Sequence, residues 1–158
     1  MARFRYRMQS ILDIKTKLET QAKQEFAEAK NALDAEKEKL VALETRKTGY
    51  EEKAEKLLKG SLLVQEIVDN KSAILKMDEY INAQILQIKV AENKLEVVRE
   101  RLKIVMQERK MHEKLKERAF DEFLAEEKRE EGKEVDQLTS YTYGQRILEN
   151  AGSSADID

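Results

Sequence analysis

The residue types that most often carry catalytic chemistry are scarce in this sequence. It has one histidine, His112, no cysteine, and five glycines scattered along the chain. Disulfides and thiolate metal or redox sites are therefore excluded, and no glycine-rich phosphate loop is present. His112 shares a helical face with Arg109 and Lys116, so we interpret it as a partly exposed interhelical residue rather than a ligand or a base. The sequence predicts no enzyme, cofactor, metal or small-molecule substrate.

The composition is typical of long helices. Of 158 residues, 39% are charged, 41% hydrophobic and 6% aromatic, and none is proline. Lys, Glu, Ala, Leu and Arg dominate, as in coiled coils. The net charge of -2 gives the chain as a whole no attraction for nucleic acid. Neither a signal peptide nor an apolar run approaching the ~20 residues of a membrane span is visible, so we expect a cytoplasmic protein.

Two heptad seams run through the sequence. Nine of the eleven positions of the first seam are apolar, and Glu36 and Lys47 are the polar ones. The eleven positions are Ala22, Phe26, Ala29, Leu33, Glu36, Leu40, Leu43, Lys47, Tyr50, Ala54 and Leu57. The second seam is mostly apolar until Val105, and its positions are Ile74, Met77, Ile81, Gln84, Ile88, Ala91, Leu95, Val98, Leu102, Val105, Arg109, His112, Lys116, Ala119 and Phe123. This spacing predicts two coiled-coil helices.

The two seams differ in heptad phase, which predicts a break between them. Gly60 can end the first helix in the left-handed conformation, and Asp69 or Ser72 can cap the second. We therefore predict an all-α fold of two long helices in an antiparallel coiled-coil hairpin. The hairpin covers 1–143, with helix one over about 4–58, the turn over about 59–72, which can hold a short helical piece, and helix two over about 73–140. A disordered tail is expected over 144–158.

An antiparallel pair constrains the register, because the residue numbers of facing positions add up to a near-constant value. A value of about 131 sets apolar residues against apolar residues, for example Leu33 against Val98. It also sets Lys47, a polar residue of the first seam, against Gln84, a polar residue of the second. We expect this register in the structure.

Two surfaces stand out as candidate interfaces. The first turn, Phe4-Arg5-Tyr6-Arg7-Met8, joins aromatic residues to arginines, the composition that interface anchors favour. An equally good interpretation is that these aromatics pack onto Phe120 and Phe123 of the same chain. On the second helix, Ile81, Ile85 and Ile88 lie on more than one face, which indicates an exposed docking patch.

Charge is distributed unevenly along the second helix. Residues 99–118 hold eight basic and four acidic residues, and residues 119–136 hold three basic and eight acidic ones. Glutamates interrupt the basic stretch and no aromatic residue is interleaved to stack on bases, so nucleic-acid binding is not expected.

These features resemble the FliJ family of the bacterial flagellar type III export apparatus. The resemblance is carried by the opening Phe4-Arg-Tyr-Arg-Met-Gln-Ser-Ile-Leu-Asp-Ile-Lys, by Asp78-Glu79-Tyr80-Ile81 at the start of the second helix, and by Glu131-Gly-Lys-Glu-Val-Asp-Gln-Leu138. It covers nearly the whole chain.

The resemblance implies a monomeric, non-enzymatic adaptor that acts like the central stalk of a rotary ATPase. Its partners would be the hexameric flagellar export ATPase, the membrane-embedded export gate and export chaperones, at the cytoplasmic face of the membrane at the flagellar base. Carried over by position, the ATPase-binding tip comprises Phe4, Tyr6, Met8, Ile11, Phe120 and Phe123. The gate-binding patch comprises Tyr80, Ile81, Gln84 and Ile88. The main alternative is a self-associating structural scaffold.

Overall fold

The computed structural model describes residues 2–60 and 63–155. These residues form two helices, α1 over Gln9–Lys59 and α2 over Val64–Ala155. The predicted fold class is confirmed: the chain is all-α, with two long helices that pack against each other as an antiparallel hairpin. Alanine, leucine, glutamate and lysine favour helix, and without proline nothing interrupts the backbone hydrogen bonds within either helix.

The chain divides into two contact units. One unit is Lys15–Arg109, and the other combines Met1–Ile14 with Lys110–Asp158. The Lys15–Arg109 unit contains the turn and the centre of the core, where Ala29, Leu33 and Leu95 are buried. Phe26, Ile88, Ala91 and Val98 pack around these three residues.

The predicted seams are confirmed residue by residue. Every position of both seams is buried or half-buried, including the polar positions. This agreement follows from the helix itself, because residues spaced by three and four lie on one face whatever they pack against.

The predicted register is wrong by about one heptad. Lys47 does not face Gln84; its Nζ lies 2.6 Å from Oδ1 of Asp78. Gln84 instead donates from Nε2 to the carbonyl oxygen of Glu36 at 2.8 Å, and to the Glu36 carboxylate. The residue numbers of these two pairs add up to 125 and 120 rather than 131. A shift of seven residues returns each seam position to the same face of its helix, so the apolar pattern fits both registers nearly equally well.

Polar residues of the observed register bond across the seam, although Oδ1 of Asn70 is buried without a hydrogen-bond partner among the described residues. The hydrogen bond from Gln84 lowers the pKa of the Glu36 carboxyl below its ordinary value. The contact with Asp78 raises the pKa of Lys47 above its ordinary value. Asn70, only 6% exposed, donates from Nδ2 to the carbonyl oxygen of Tyr50 at 3.0 Å. A buried Asn that finds a partner in one alignment only is a known way to specify register.

The helix starts differ from the predicted ones. α1 begins at Gln9 rather than near residue 4: the carbonyl of Met8 accepts hydrogen bonds from the amides of Ile11 and Leu12, both at 3.1 Å. A helix through residues 4–8 would point Phe4 and Tyr6 to opposite sides, whereas both are half-buried.

The turn is shorter than the predicted 59–72. α2 already begins at Val64, with the amide of Ile67 donating to the carbonyl of Leu63 at 3.2 Å. Asp69 and Ser72, the expected capping residues, lie inside α2, and Oδ1 of Asp69 accepts a hydrogen bond from Nε2 of Gln65 at 3.0 Å. No described residue has a positive φ, so Gly60 does not adopt the predicted left-handed conformation. Residues 61 and 62 of the expected turn lie outside the described residues.

The C-terminal segment also differs from the expected tail. α2 continues to Ala155, although a tail without regular structure was expected from residue 144. Gly144 lowers the helix propensity of this segment, but the sequence has no proline that would end the helix. From residue 128 to residue 153, every residue except Gly144 is exposed. Residues 156–158 of the expected tail lie outside the described residues.

Cross-linking tests the register. In the cysteine-free chain, we expect Lys47→Cys/Asp78→Cys to be linked within the molecule by a short bis-maleimide at least about ten times faster than Lys47→Cys/Gln84→Cys. The second pair is displaced by six residues, or about 9 Å along the helix axis. Linkage is followed by gel mobility at low protein concentration and assigned by mass spectrometry. Equal or reversed rates would contradict the observed register.

Candidate functional site

The N-terminal segment packs onto α2 through aromatic rings. The ring of Phe4 lies 5.1 Å from that of Phe120, edge to face, and 5.4 Å from that of Phe123. Such ring pairs stabilise a contact beyond the apolar area that they bury. The intramolecular packing considered in the sequence analysis is therefore present.

An open cavity of about 600 Å³ lies beside these rings. It is lined by residues 3–8 together with Ala119, Glu122 and Phe123. The hydroxyl oxygen of Tyr6 is buried and has no hydrogen-bond partner among the described residues. Phe120 stays 42% exposed and Met8 is exposed as well. The intramolecular contact thus leaves apolar surface free around the cavity.

Five of the six residues predicted for the ATPase-binding tip come together here. Phe4, Phe120 and Phe123 are in ring contact, and Tyr6 and Met8 line the cavity with Phe4 and Phe123. The sixth, Ile11, lies on the first turn of α1 with its side chain exposed. We call the six residues the terminal cluster. The alternation of exposed arginine with half-buried aromatic over residues 3–7 was not predicted, although its period of two is visible in the sequence.

The predicted gate-binding patch is only partly available to a partner. Tyr80 is 48% exposed, but Ile81 and Ile88 are half-buried on the seam and the amide of Gln84 is engaged by Glu36. Of the three isoleucines at 81, 85 and 88, Ile85 is the exposed one, at 45%. The exposed part of this region is therefore centred on Tyr80 and Ile85 rather than on the seam positions.

The groups capable of acid–base or metal chemistry are dispersed. No cluster of three or more His, Asp or Glu side chains that could hold a metal ion occurs in residues 2–60 and 63–155. His112 is half-buried as predicted, and its Nδ1 is buried without a hydrogen-bond partner in the described structure. Neither described helix has a stretch with the length and apolar character that crossing a membrane requires.

Comparisons with known proteins identify related sequences and a related structure. A family model described as Flagellar FliJ protein matches residues 4–147. The flagellar FliJ protein of Bacillus subtilis (strain 168) is 26% identical over 136 residues, which cover 86% of this chain and 92% of that protein. A solved structure described as a YscO homolog from Chlamydia trachomatis has the same fold, with a TM-score of 0.70, 22% identity, and 92% and 99% of the two chains covered. The chain belongs to the FliJ family of bacterial flagellar type III export proteins.

Proposed function

We propose that this chain is a non-enzymatic, stalk-like adaptor that binds the hexameric flagellar export ATPase through the terminal cluster. The observation that carries the proposal is the packing of Phe4 on Phe120 and Phe123, which leaves Phe120 and Met8 exposed beside an open cavity. An exposed aromatic side chain that a neighbouring ring holds in place, as Phe4 holds Phe120, is a suitable interface anchor, because little conformational entropy is lost when it binds.

The adaptor also links the ATPase to the membrane-embedded export gate and to export chaperones, at the cytoplasmic face of the membrane at the flagellar base. The gate contact lies on α2, where Tyr80 and Ile85 are exposed next to the seam residues Ile81, Gln84 and Ile88. The adaptor makes these contacts as a monomer.

Binding to the purified export ATPase of the same organism tests the role of the terminal cluster. Phe120→Ala and Met8→Ala together are expected to weaken binding about 10-fold, because both side chains lose apolar contact with the partner. Biolayer interferometry measures the affinity, and circular dichroism verifies that the helices are retained. Val41→Ala/Val97→Ala removes two exposed apolar side chains elsewhere and serves as the control. Equal affinity of both double variants would contradict the proposal.

Self-association as a scaffold is the second candidate. Its support is a row of exposed apolar residues on α2, with Val90, Val97 and Ile104 recurring at intervals of seven, the spacing of a further coiled-coil contact. Sedimentation of the same preparations at micromolar concentration distinguishes the candidates, because the adaptor sediments as a monomer and the scaffold as a dimer or larger species.

A further inference from the structure

The first residues alternate strictly between arginine and aromatic side chains. Arg3, Arg5 and Arg7 are exposed, whereas Phe4 and Tyr6 between them are half-buried. All five line the same cavity. Because Phe4 is fixed by Phe120 and Phe123, the segment presents three guanidinium groups beside the exposed part of the terminal cluster. We call Arg3, Arg5 and Arg7 the arginine edge.

The arginine edge has no acidic partner within the described structure. None of its members takes part in a described ion pair, although Glu122 lines the same cavity. Four arginines of α2 behave differently, since each contacts a glutamate: Arg99, Arg101, Arg109 and Arg129. Three neighbouring cations that the chain itself leaves unpaired indicate a partner with negative charge at this place.

The charge around the cavity favours a partner that carries separate carboxylate groups over a polyanion such as a nucleic acid. The α2 segment 119–136, which includes three of the cavity-lining positions, carries eight acidic residues against three basic ones. A nucleic acid or an anionic membrane presents dense negative charge and would be repelled by this segment, whereas individual carboxylates can be placed opposite the arginines alone. The Phe4 ring is also occupied by its two neighbours and is not free to stack on bases.

We propose that the arginine edge binds carboxylate groups on the protein that docks against the terminal cluster. This inference rests on the proposed function and adds the chemistry of the partner surface, which is acidic beside an apolar centre. Guanidinium groups pair with carboxylates through two parallel hydrogen bonds. Charges at the rim of an interface act mainly on the rate of association and on specificity.

The test uses the full-length chain and the purified export ATPase at 50 mM and 300 mM salt. The variant Arg3→Glu/Arg5→Glu/Arg7→Glu is expected to bind about 20-fold more weakly at 50 mM, mostly through slower association, and the difference shrinks at 300 mM because salt screens the charges. Replacing the same arginines with lysine is expected to cost only about 3-fold, because the charge stays and the paired hydrogen bonds are lost. The control, Arg46→Glu/Lys53→Glu/Lys56→Glu, changes the net charge equally at exposed positions of α1.

The outcomes separate this inference from the proposed function. If Phe120→Ala/Met8→Ala weakens binding while the arginine-to-glutamate variant binds like its control, the inference is overturned and the proposed function stands. If neither variant weakens binding, the proposed function fails, and the inference fails with it. Phosphatidylglycerol vesicles and a 20-nucleotide DNA are tested in parallel. Binding to either that needs the three arginines, together with unchanged binding of the variant to the ATPase, would assign the edge to a polyanion and overturn the inference.

Discussion

Leu33→Ala is expected to lower the free energy of unfolding by about 3 kcal/mol. Leu33 is buried in the core cluster with Ala29 and Leu95. Truncating this side chain removes the free energy gained by transferring it out of water, and it leaves a cavity. Few neighbouring side chains can fill that cavity, because the two helices are held by a single seam. Urea unfolding followed by helical circular dichroism measures the change, with the slope against urea concentration expected to stay constant.

Val41→Ala is the matched control for this substitution. Val41 lies on the same helix but is exposed, so its truncation is expected to change the free energy of unfolding by no more than about 0.5 kcal/mol. A loss below about 1 kcal/mol for Leu33→Ala would mean that the Ala29–Leu33–Leu95 cluster does not hold the two helices together in solution.

The burial of Leu33 could be predicted because it depends only on helical periodicity. The same is true of Ala29 and Leu95, and of half-buried polar positions such as Lys47 and Gln84. Spacing by three and four fixes which face of a helix turns inward before the partner is known. The fold class followed from these faces and from one break in the pattern near Gly60.

The register could not be read from the apolar pattern, because a seven-residue shift leaves that pattern nearly unchanged. The discriminating contacts are polar: Lys47 with Asp78, and Glu25 with Arg101 at 3.3 Å. Each joins a seam or near-seam residue to an opposite charge on the other helix. The observed register brings these opposite charges together, whereas the predicted register would separate them by about one heptad.

The ends of the helices depend on contacts that are local in space but distant in sequence. The start of α1 at Gln9 follows from the aromatic packing of Phe4 onto Phe120, which an unbroken helical pattern does not reveal. The grouping of Phe4 with Phe120 and Phe123 was foreseen as one interpretation. The exposure of Ile85, and the use of Gln84 in binding Glu36, required the register.

Glu19 is the most buried charged residue of the described structure, at 5% exposure. Burial by itself would raise the pKa of this carboxyl, but hydrogen bonds and charge from Lys23 and Arg109 outweigh it, so the pKa is lowered from its ordinary value. Lys23 lies 3.2 Å from Oε1 of Glu19, and the guanidinium of Arg109 contacts Oε2. Arg109 also belongs to the second seam, so this contact connects the two helices within the polar part of the seam.

Glu19→Gln is expected to lower the free energy of unfolding by about 2 kcal/mol at pH 7, because it removes the buried carboxylate charge that Arg109 contacts across the seam and that Lys23 contacts on the same helix. The effect depends on pH with a definite sign. Since the pKa of Glu19 is lowered on folding from an ordinary value of 4.5, the charged carboxylate stabilises the folded chain above about pH 4.5, and this contribution is lost as pH falls through the folded-state pKa.

The difference between the native chain and Glu19→Gln should therefore be largest at neutral pH and should shrink as the pH falls below 4.5, because a protonated carboxyl and an amide are nearly equivalent. Urea unfolding at four pH values between 3 and 7 measures it. Glu25→Gln is the control, because the Glu25–Arg101 pair is more exposed and its loss is expected to cost about 0.5 kcal/mol. A difference that stays constant with pH would mean that Glu19 acts through packing rather than charge. The polar part of the seam would then be held together in the same way as the apolar core around Leu33.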